Sequence, residues 1–570
     1  MSVEIKEIFN DHGVQNSPST ARRSAMKEIF FNVGRRGRHD SLISMSQYQA
    51  EPKTMMKEKS ATRLPAECMK RIIKYVERRR DVISCLLVNK YWCSSVIPLL
   101  WARPFDNVSV ENRFKLIRTY ISCLEEEDRS GLNFALKKFK VKIPYSSQSL
   151  FEYATYLERF SYNKLYMAVD SGIRNYLSKE VVAGRSTHQQ TILITGVMCQ
   201  LFMRQSRRMT SIEITKFFGM VDLPRSSLFS TAEYTLSNIR RFELEYTNRM
   251  TRNTLKLLKY VSKYCHKLQV LDLKFPYLTD KLDVVNSITN IINAQTQLTE
   301  FNLSGLRFGT EIIVPALVSQ AGSLRSLKFM NCDFTGTDFE PLARCRELKS
   351  LTIQYCQGLT NESIFSLKHP HFTLKSLNIG CSPAALVSQL LIFPIAGESL
   401  EELTLDLITP ETITTILENC PKLKQLKLVN YFLQQPTKIG ELLRGLKYLR
   451  KLEIFISSKN ADYENMILTS GDLPESLDCL ILRCGFTTIQ LDNLLSRRDL
   501  TTLIMDYMYF DHSHFRVIRE YAKRSDRLEV LGIGDGGAKD SFAKKEWKEL
   551  QKLCKDYNIR AVPLREINSW

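Results

Sequence analysis

Leu324-Arg325-Ser326-Leu327-Lys328-Phe329, Leu348-Lys349-Ser350-Leu351-Thr352-Ile353 and Leu374-Lys375-Ser376-Leu377-Asn378-Ile379 are three copies of one hexad. Its first, fourth and sixth positions are apolar. In extended backbone, alternate side chains share a face, so the fourth and sixth residues point one way and the fifth points the other. Working outward, the same hexad starts earlier at Met209, Ile239, Leu268 and Leu298, and later at Leu400, Leu423, Leu449, Leu477, Leu500 and Leu528. The thirteen starts lie 23 to 30 residues apart, a period that leaves room for one strand and one return segment. Thr409-Pro410-Glu411 shows the nature of that return, with a capping Thr followed by Pro at a first helical position. Leu359-Thr360-Asn361-Glu362 leads into Ile364 and Leu367 in the same way. The reading is an α/β chain: a small helical segment, then a solenoid with a parallel sheet on one face and helices on the other.

This repeat resembles the leucine-rich repeat. The resemblance implies a concave parallel sheet and a convex helical layer. Thirteen strands about 4.8 Å apart give an inner arc on the order of 60 Å, a protein-sized surface. Cys332 and Cys356 fall eight residues after the first Leu of their units. They resemble the cysteine-containing subclass, in which that residue is buried and hydrogen-bonds the turn.

The chain has 570 residues, 44% hydrophobic and 25% charged, too long for one compact core and ordinary for a globular protein. No apolar run reaches the roughly 18 residues needed to cross a bilayer. The start, Met1-Ser2-Val3-Glu4-Ile5, lacks the features of a signal peptide. The expected setting is the cytoplasm and/or the nucleus, with the fourteen cysteines as thiols. Residues 60–208 carry 25 Lys/Arg against 13 Asp/Glu, so they hold +12 of the net +19. Such a segment fits nucleic acid, a membrane surface or an acidic protein. Residues 1–59 show no sustained apolar face and read as a flexible N-terminal tail. Residues 60–105 read as three short helices, with Arg78 to Arg80 closing the first and Asp81 capping the second. Their large apolar groups exceed what so small a bundle encloses, so another part of the chain or a partner should cover some of them. Residues 106–208 read as a mostly helical linker or cap, and residues 209–570 as the solenoid of about thirteen repeats.

Leu64-Pro65-Ala66-Glu67, Ile72, Cys85-Leu86-Leu87-Val88-Asn89, Trp92 and Pro98-Leu99-Leu100-Trp101 occur in that order. Their order and spacing resemble the F-box, and Ala102-Arg103-Pro104-Phe105 is similar to the extension of its fungal members. The resemblance implies a non-catalytic substrate-recognition subunit of an SCF-type cullin–RING ubiquitin ligase. The F-box would bind the Skp adaptor and, through it, a cullin–RING module, while the repeats recruit a protein substrate. Leu64, Pro65, Ile72, Leu86, Leu87, Val88 and Trp92 match the motif positions that build or meet the adaptor interface. Ubiquitination would then follow from proximity, with no chemistry done by this chain. The alternatives are a repeat scaffold outside any ligase and a nucleic-acid-associated protein using residues 60–208.

The fifth position of each hexad and the residue after the hexad point to the concave face. Glu213, Glu243, Glu245 and Asp272 make it acidic at the start. Val429, Phe455, Ile481, Arg483, Ile504 and Asp506 bring apolar and charged groups together later, a pattern expected of a substrate-contact surface. No nucleophile, metal or Walker motif is present, and no cofactor is expected. Gly532-Ile533-Gly534-Asp535-Gly536-Gly537 reads as the turn after the last repeat strand, and Asp511, His512 and His514 as loop residues. Lys137 to Lys142 alternates in the manner of an edge strand.

Overall fold

The computed structural model describes residues 65–76, 79–106, 108–139, 141, 143, 145, 149–176, 187–215, 232–245, 252–278, 282–365, 367, 373–380, 397–432, 437–455, 468–496, 499–506, 511–534 and 541–562. The chain divides into two compact units, Met1–Leu157 with Lys164–Phe202, and Glu158–Asn163 with Met203–Trp570.

The second unit is a leucine-rich-repeat solenoid. Its strands are β1 (Arg159–Ser161), β2 (Ser211–Ile214), β3 (Arg241–Glu245), β4 (Val270–Leu278), β5 (Glu300–Leu306), β6 (Ser326–Met330), β7 (Ser350–Gln354) and β8 (Ser376–Gly380). They continue with β9 (Glu402–Leu407), β10 (Gln425–Phe432), β11 (Lys451–Phe455), β12 (Cys479–Arg483), β13 (Thr502–Met505), β14 (Val530–Ile533) and β15 (Arg560–Val562). Among the described residues they form one fifteen-stranded sheet in chain order, and every pairing is parallel. All thirteen hexads supply strands, β2 to β14. The sheet also takes in β1, inside the segment read as a linker, and β15 at the far end. Leu157, Phe160 and Tyr162 around β1 are buried like a hexad; their aromatic composition hid the unit from a pattern led by leucine.

Register explains the stacking. Ile212, Phe242, Leu271, Phe301, Leu327, Leu351 and Leu377 are Cα partners from one strand to the next, and each is at most 2% exposed. Burying a side chain of this size contributes about 1.5–3 kcal/mol. Helices such as Arg252–Tyr264, Leu282–Asn293 and Pro410–Asn419 return the chain to the sheet. The last is capped by Thr409, whose side chain accepts from Thr412 N–H. Two buried glutamines staple helix ends to strand starts. Gln295 accepts from Leu268 N–H at 2.8 Å and donates to Cys265 and Ile291 carbonyls. Gln320 repeats this one unit on, accepting from Leu298 N–H at 3.2 Å and donating to the carbonyls of Ile292 and Gln295.

One device recurs near the strand ends: Gly305, the next-to-last residue of β5, and Asn331 and Tyr355, immediately after β6 and β7, all have positive φ. Immediately after the last two come the buried Cys332 and Cys356. Their thiols donate to strand-end carbonyls, Cys332 to Met330 at 3.3 Å and Cys356 to Gln354 at 3.2 Å. The hydrogen bond between the two thiols, together with burial, pushes Cys356 far up. Both cysteines act as the subclass resemblance implies.

In the first unit, helices Ala66–Lys74, Arg79–Cys85 and Lys90–Leu100 occupy the expected places. Arg79 and Arg80 open the second helix instead of closing the first, and Asp81 sits in its first turn instead of capping it. The cap with a side-chain bond is Asn89, which accepts from Trp92 N–H at 2.9 Å and starts the third helix. Trp101 is fully buried, 4.1 Å from the Tyr153 ring and edge-on to Tyr120 at 5.1 Å. Part of the surplus apolar surface is thus covered from within the same unit. Lys137 ends a helix, Glu126–Lys137, in place of the expected edge strand.

Candidate functional site

Two surfaces present the residues singled out in the sequence. The first is on the three short helices. Met69, Ile73, Ile83 and Leu86 turn inward, whereas Ile72 is 48%, Leu87 38% and Val88 58% exposed. Pro65 is exposed and Trp92 half-buried; Leu64 lies outside the described residues. Leu86 therefore requires a correction: at 7% exposure it fills the core and cannot meet an adaptor directly. The cause is local, since the chain leaves the helix after Cys85 through a turn that sends Leu86 inward and Leu87 and Val88 outward. Tyr75, 86% exposed, joins this set. Its spacing of three from Ile72 was the available signal, because residues three apart share a helix face.

The second surface is the sheet face opposite the helices. One residue per strand forms its central row, and the composition changes along it. Glu213, Glu243 and Asp272 are aligned on β2 to β4. Each has a cationic neighbour: Arg159 bonds Glu213 at 2.8 Å, Arg241 pairs with Glu243, and Lys274 lies 3.8 Å from Asp272. Asn302, Lys328, Thr352 and Asn378 follow on β5 to β8, then Thr404, Lys427, Glu453, Ile481, Ile504, Gly532 and Val562.

That last stretch corrects part of the expected contact surface. Ile481 and Ile504 are fully buried, packed in a cluster with Val562, Cys479 and Val530. Gly532 belongs to the same packing, since a Cβ there would lie 3.3 Å from Ile504 and 3.4 Å from Val562. Apolar side chains on neighbouring strands are drawn together here into a small core on the sheet face opposite the helices, so these two isoleucines offer nothing to a ligand. Arg483 and Asp506 are also committed internally. Lys427 Nζ lies 2.7 Å from Glu453, whose carboxylate is 3.2 Å from Arg483, and Arg483 is 3.5 Å from Asp506. Glu453 and Arg483 are both buried. Val429 and Phe455 remain half-buried beside this ionic chain, as Cα partners on β10 and β11. Alternation correctly assigned the face, but burial on that face depends on partners many residues away.

The discounted signals resolve in structural terms. Asp511 caps helix His512–Arg524, accepting from His514 N–H at 2.9 Å, and that bond holds its carboxyl below the usual range. His514 Nε2 lies 2.9 Å from the Phe486 carbonyl oxygen. No metal-holding group occurs among the described residues. Gly532 is a strand residue and Gly534 bonds to Met505; Asp535, Gly536 and Gly537 lie outside the described residues. No described helix is long and apolar enough to cross a membrane.

No family model and no curated protein matches the chain. Among solved structures, it is similar to an internalin (inlF) from Listeria monocytogenes at 19% identity and TM-score 0.30, covering 58% of this chain and 82% of that one. A TLR13–ssRNA13 complex matches at 15% identity and TM-score 0.30, covering 59% and 51%. A Rad7–Elc1 complex from yeast matches at 13% identity and TM-score 0.34, covering 91% and 94%.

Proposed function

We propose that this chain is a non-catalytic receptor that uses its three-helix segment to dock on a Skp-type adaptor of a cullin–RING ubiquitin ligase. Its solenoid then holds a protein substrate for ubiquitination in the cytosol or nucleus. The observation that carries this reading is the outward exposure of Ile72, Tyr75, Leu87 and Val88. A bundle this small that leaves four large apolar groups in water has a surface suited to burial by another protein. The F-box-like order of residues from Pro65 to Trp101 supplies the kind of partner. The solenoid supports the receptor half of the reading, because its sheet offers a long row of side chains on a rigid frame.

The test is affinity purification of the full chain beside a Leu87→Asp, Val88→Asp variant. Both residues are exposed, so the variant should melt with the wild type. Recovery of a Skp adaptor and a cullin with the wild type alone supports the reading. Absence of both from the wild type refutes it.

A further inference from the structure

The solenoid carries a row of cations along the edge where its strands begin. In six successive repeats the residue after the first Leu of the hexad is Arg325, Lys349, Lys375, Glu401, Lys424 and Arg450. All five cations are exposed. The row is continuous in space as well as in sequence, because Glu401 bonds Lys375 at 2.9 Å and Lys424 at 2.8 Å across neighbouring repeats. Its one acid is thereby neutralised, and those two lysines hold the Glu401 carboxyl down at about 2. Among the described residues, Arg325, Lys349 and Arg450 have no carboxylate within ion-pair distance.

The adjoining strands extend this character onto the sheet. β6, β7 and β8 contain no carboxylate, although Glu300 and Glu402 flank them on β5 and β9. Each begins with a partly exposed Ser (Ser326, Ser350 and Ser376), and these are Cα partners in one row. Lys328 adds a fourth cation in the central row beside Thr352 and Asn378. Four cations and four hydroxyls thus fall on, or one residue before, three adjacent strands about 4.8 Å apart. Elsewhere on this face the central-row charges of β2 to β4 and β10 to β13 are paired within the chain.

We infer that this edge, centred on Arg325, Lys349 and Lys375, receives an acidic polypeptide segment of the recruited protein. The inference rests on the receptor reading above and names the chemistry of what is received. Long flexible cations beside neutral donors match closely spaced carboxylates on an extended chain. A single-stranded nucleic acid fits less well, because β6 to β8 present no exposed aromatic on the central or first rows for bases to stack on.

The test is fluorescence anisotropy of the full chain with a labelled peptide of about 12 glutamates, long enough to span the row at about 3.3 Å per residue. A matched glutamine peptide and an oligothymidylate serve as comparators. One variant carries Arg325→Gln, Lys349→Gln and Lys375→Gln. A second removes the same charge from the exposed face of helix Arg252–Tyr264, as Lys256→Gln, Lys259→Gln and Lys263→Gln. The expected result is salt-sensitive binding of the glutamate peptide, weakened roughly fivefold or more by the edge variant and less than about twofold by the helix variant. Equal losses in both variants, no binding by the wild type, or tighter edge-dependent binding of the oligothymidylate would each overturn it. Adaptor recovery with the edge variant should match the wild type, so failure here is separable from failure of the receptor reading.

Discussion

Replacing Arg483 with Met tests whether the charged chain on β10 to β13 is structural or available to a partner. Arg483 is buried between Glu453, 3.2 Å away, and Asp506, 3.5 Å away. Breaking a buried pair by removing one partner costs about 3–5 kcal/mol, because the other charge is left desolvated. Glu453 keeps Lys427 at 2.7 Å, which offsets part of that, so Arg483→Met should cost about 3 kcal/mol. The suitable assay is hydrogen exchange read by mass spectrometry across β11, β12 and β13, because a solenoid opens locally and one global transition would average the effect. Urea unfolding followed by circular dichroism gives the second measure. A combined Glu453→Gln, Arg483→Met, Asp506→Asn variant should regain most of the loss, since stranded charge is the proposed cause. A loss under about 0.5 kcal/mol for Arg483→Met would refute the reasoning and return Arg483 to the residues open to a client.

Gln320→Leu should cost about 3 kcal/mol by urea unfolding, since it leaves buried Leu298 N–H without its acceptor and takes the amide donor from the Gln295 and Ile292 carbonyls, of which Ile292 keeps only the Gln295 N–H; a loss under about 1 kcal/mol would mean that water replaces the amide. Gly305→Ala should be severe, because φ is +80° and the new methyl would overlap the Phe275 carbonyl. Gly336→Ala has a similar φ but no heavy atom near the added Cβ, so it should cost only about 1 kcal/mol; equal thermal shifts for the two would show that backbone conformation, not the close approach, decides. Glu401→Gln should lower the melting temperature by a fixed amount above about pH 5. The Glu401 carboxyl is depressed from 4.5 to about 2 in the folded chain. Its contribution is therefore complete above 4.5 and is lost as pH falls toward 2, so the two melting curves should converge in that window. A difference that persists unchanged at low pH would exclude the ion pairs as its source.

The thirteen hexads were enough to determine the repeat fold, because a leucine every unit has one way to be buried and the strand alternation follows from backbone geometry. The same local logic located the three short helices and the turn cysteines, Cys332 and Cys356. It did not locate β1, where Phe160 and Tyr162 stand in place of aliphatic residues, or the exact helix boundary at Arg79. Tertiary structure alone decided which outward residues remain accessible. Leu86 and Leu87 are neighbours of identical chemistry, yet a turn buries one and exposes the other. Ile481 and Ile504 lie on the open face by alternation but are covered through packing with Val562, from a strand more than fifty residues later. Arg483 has the sequence context of an anchor and is instead consumed by Glu453 and Asp506. Arg325, Lys349 and Lys375 form a continuous edge only because parallel register stacks them at successive repeats. Facing is set by neighbours along the chain; burial and pairing are set by residues that only folding brings near.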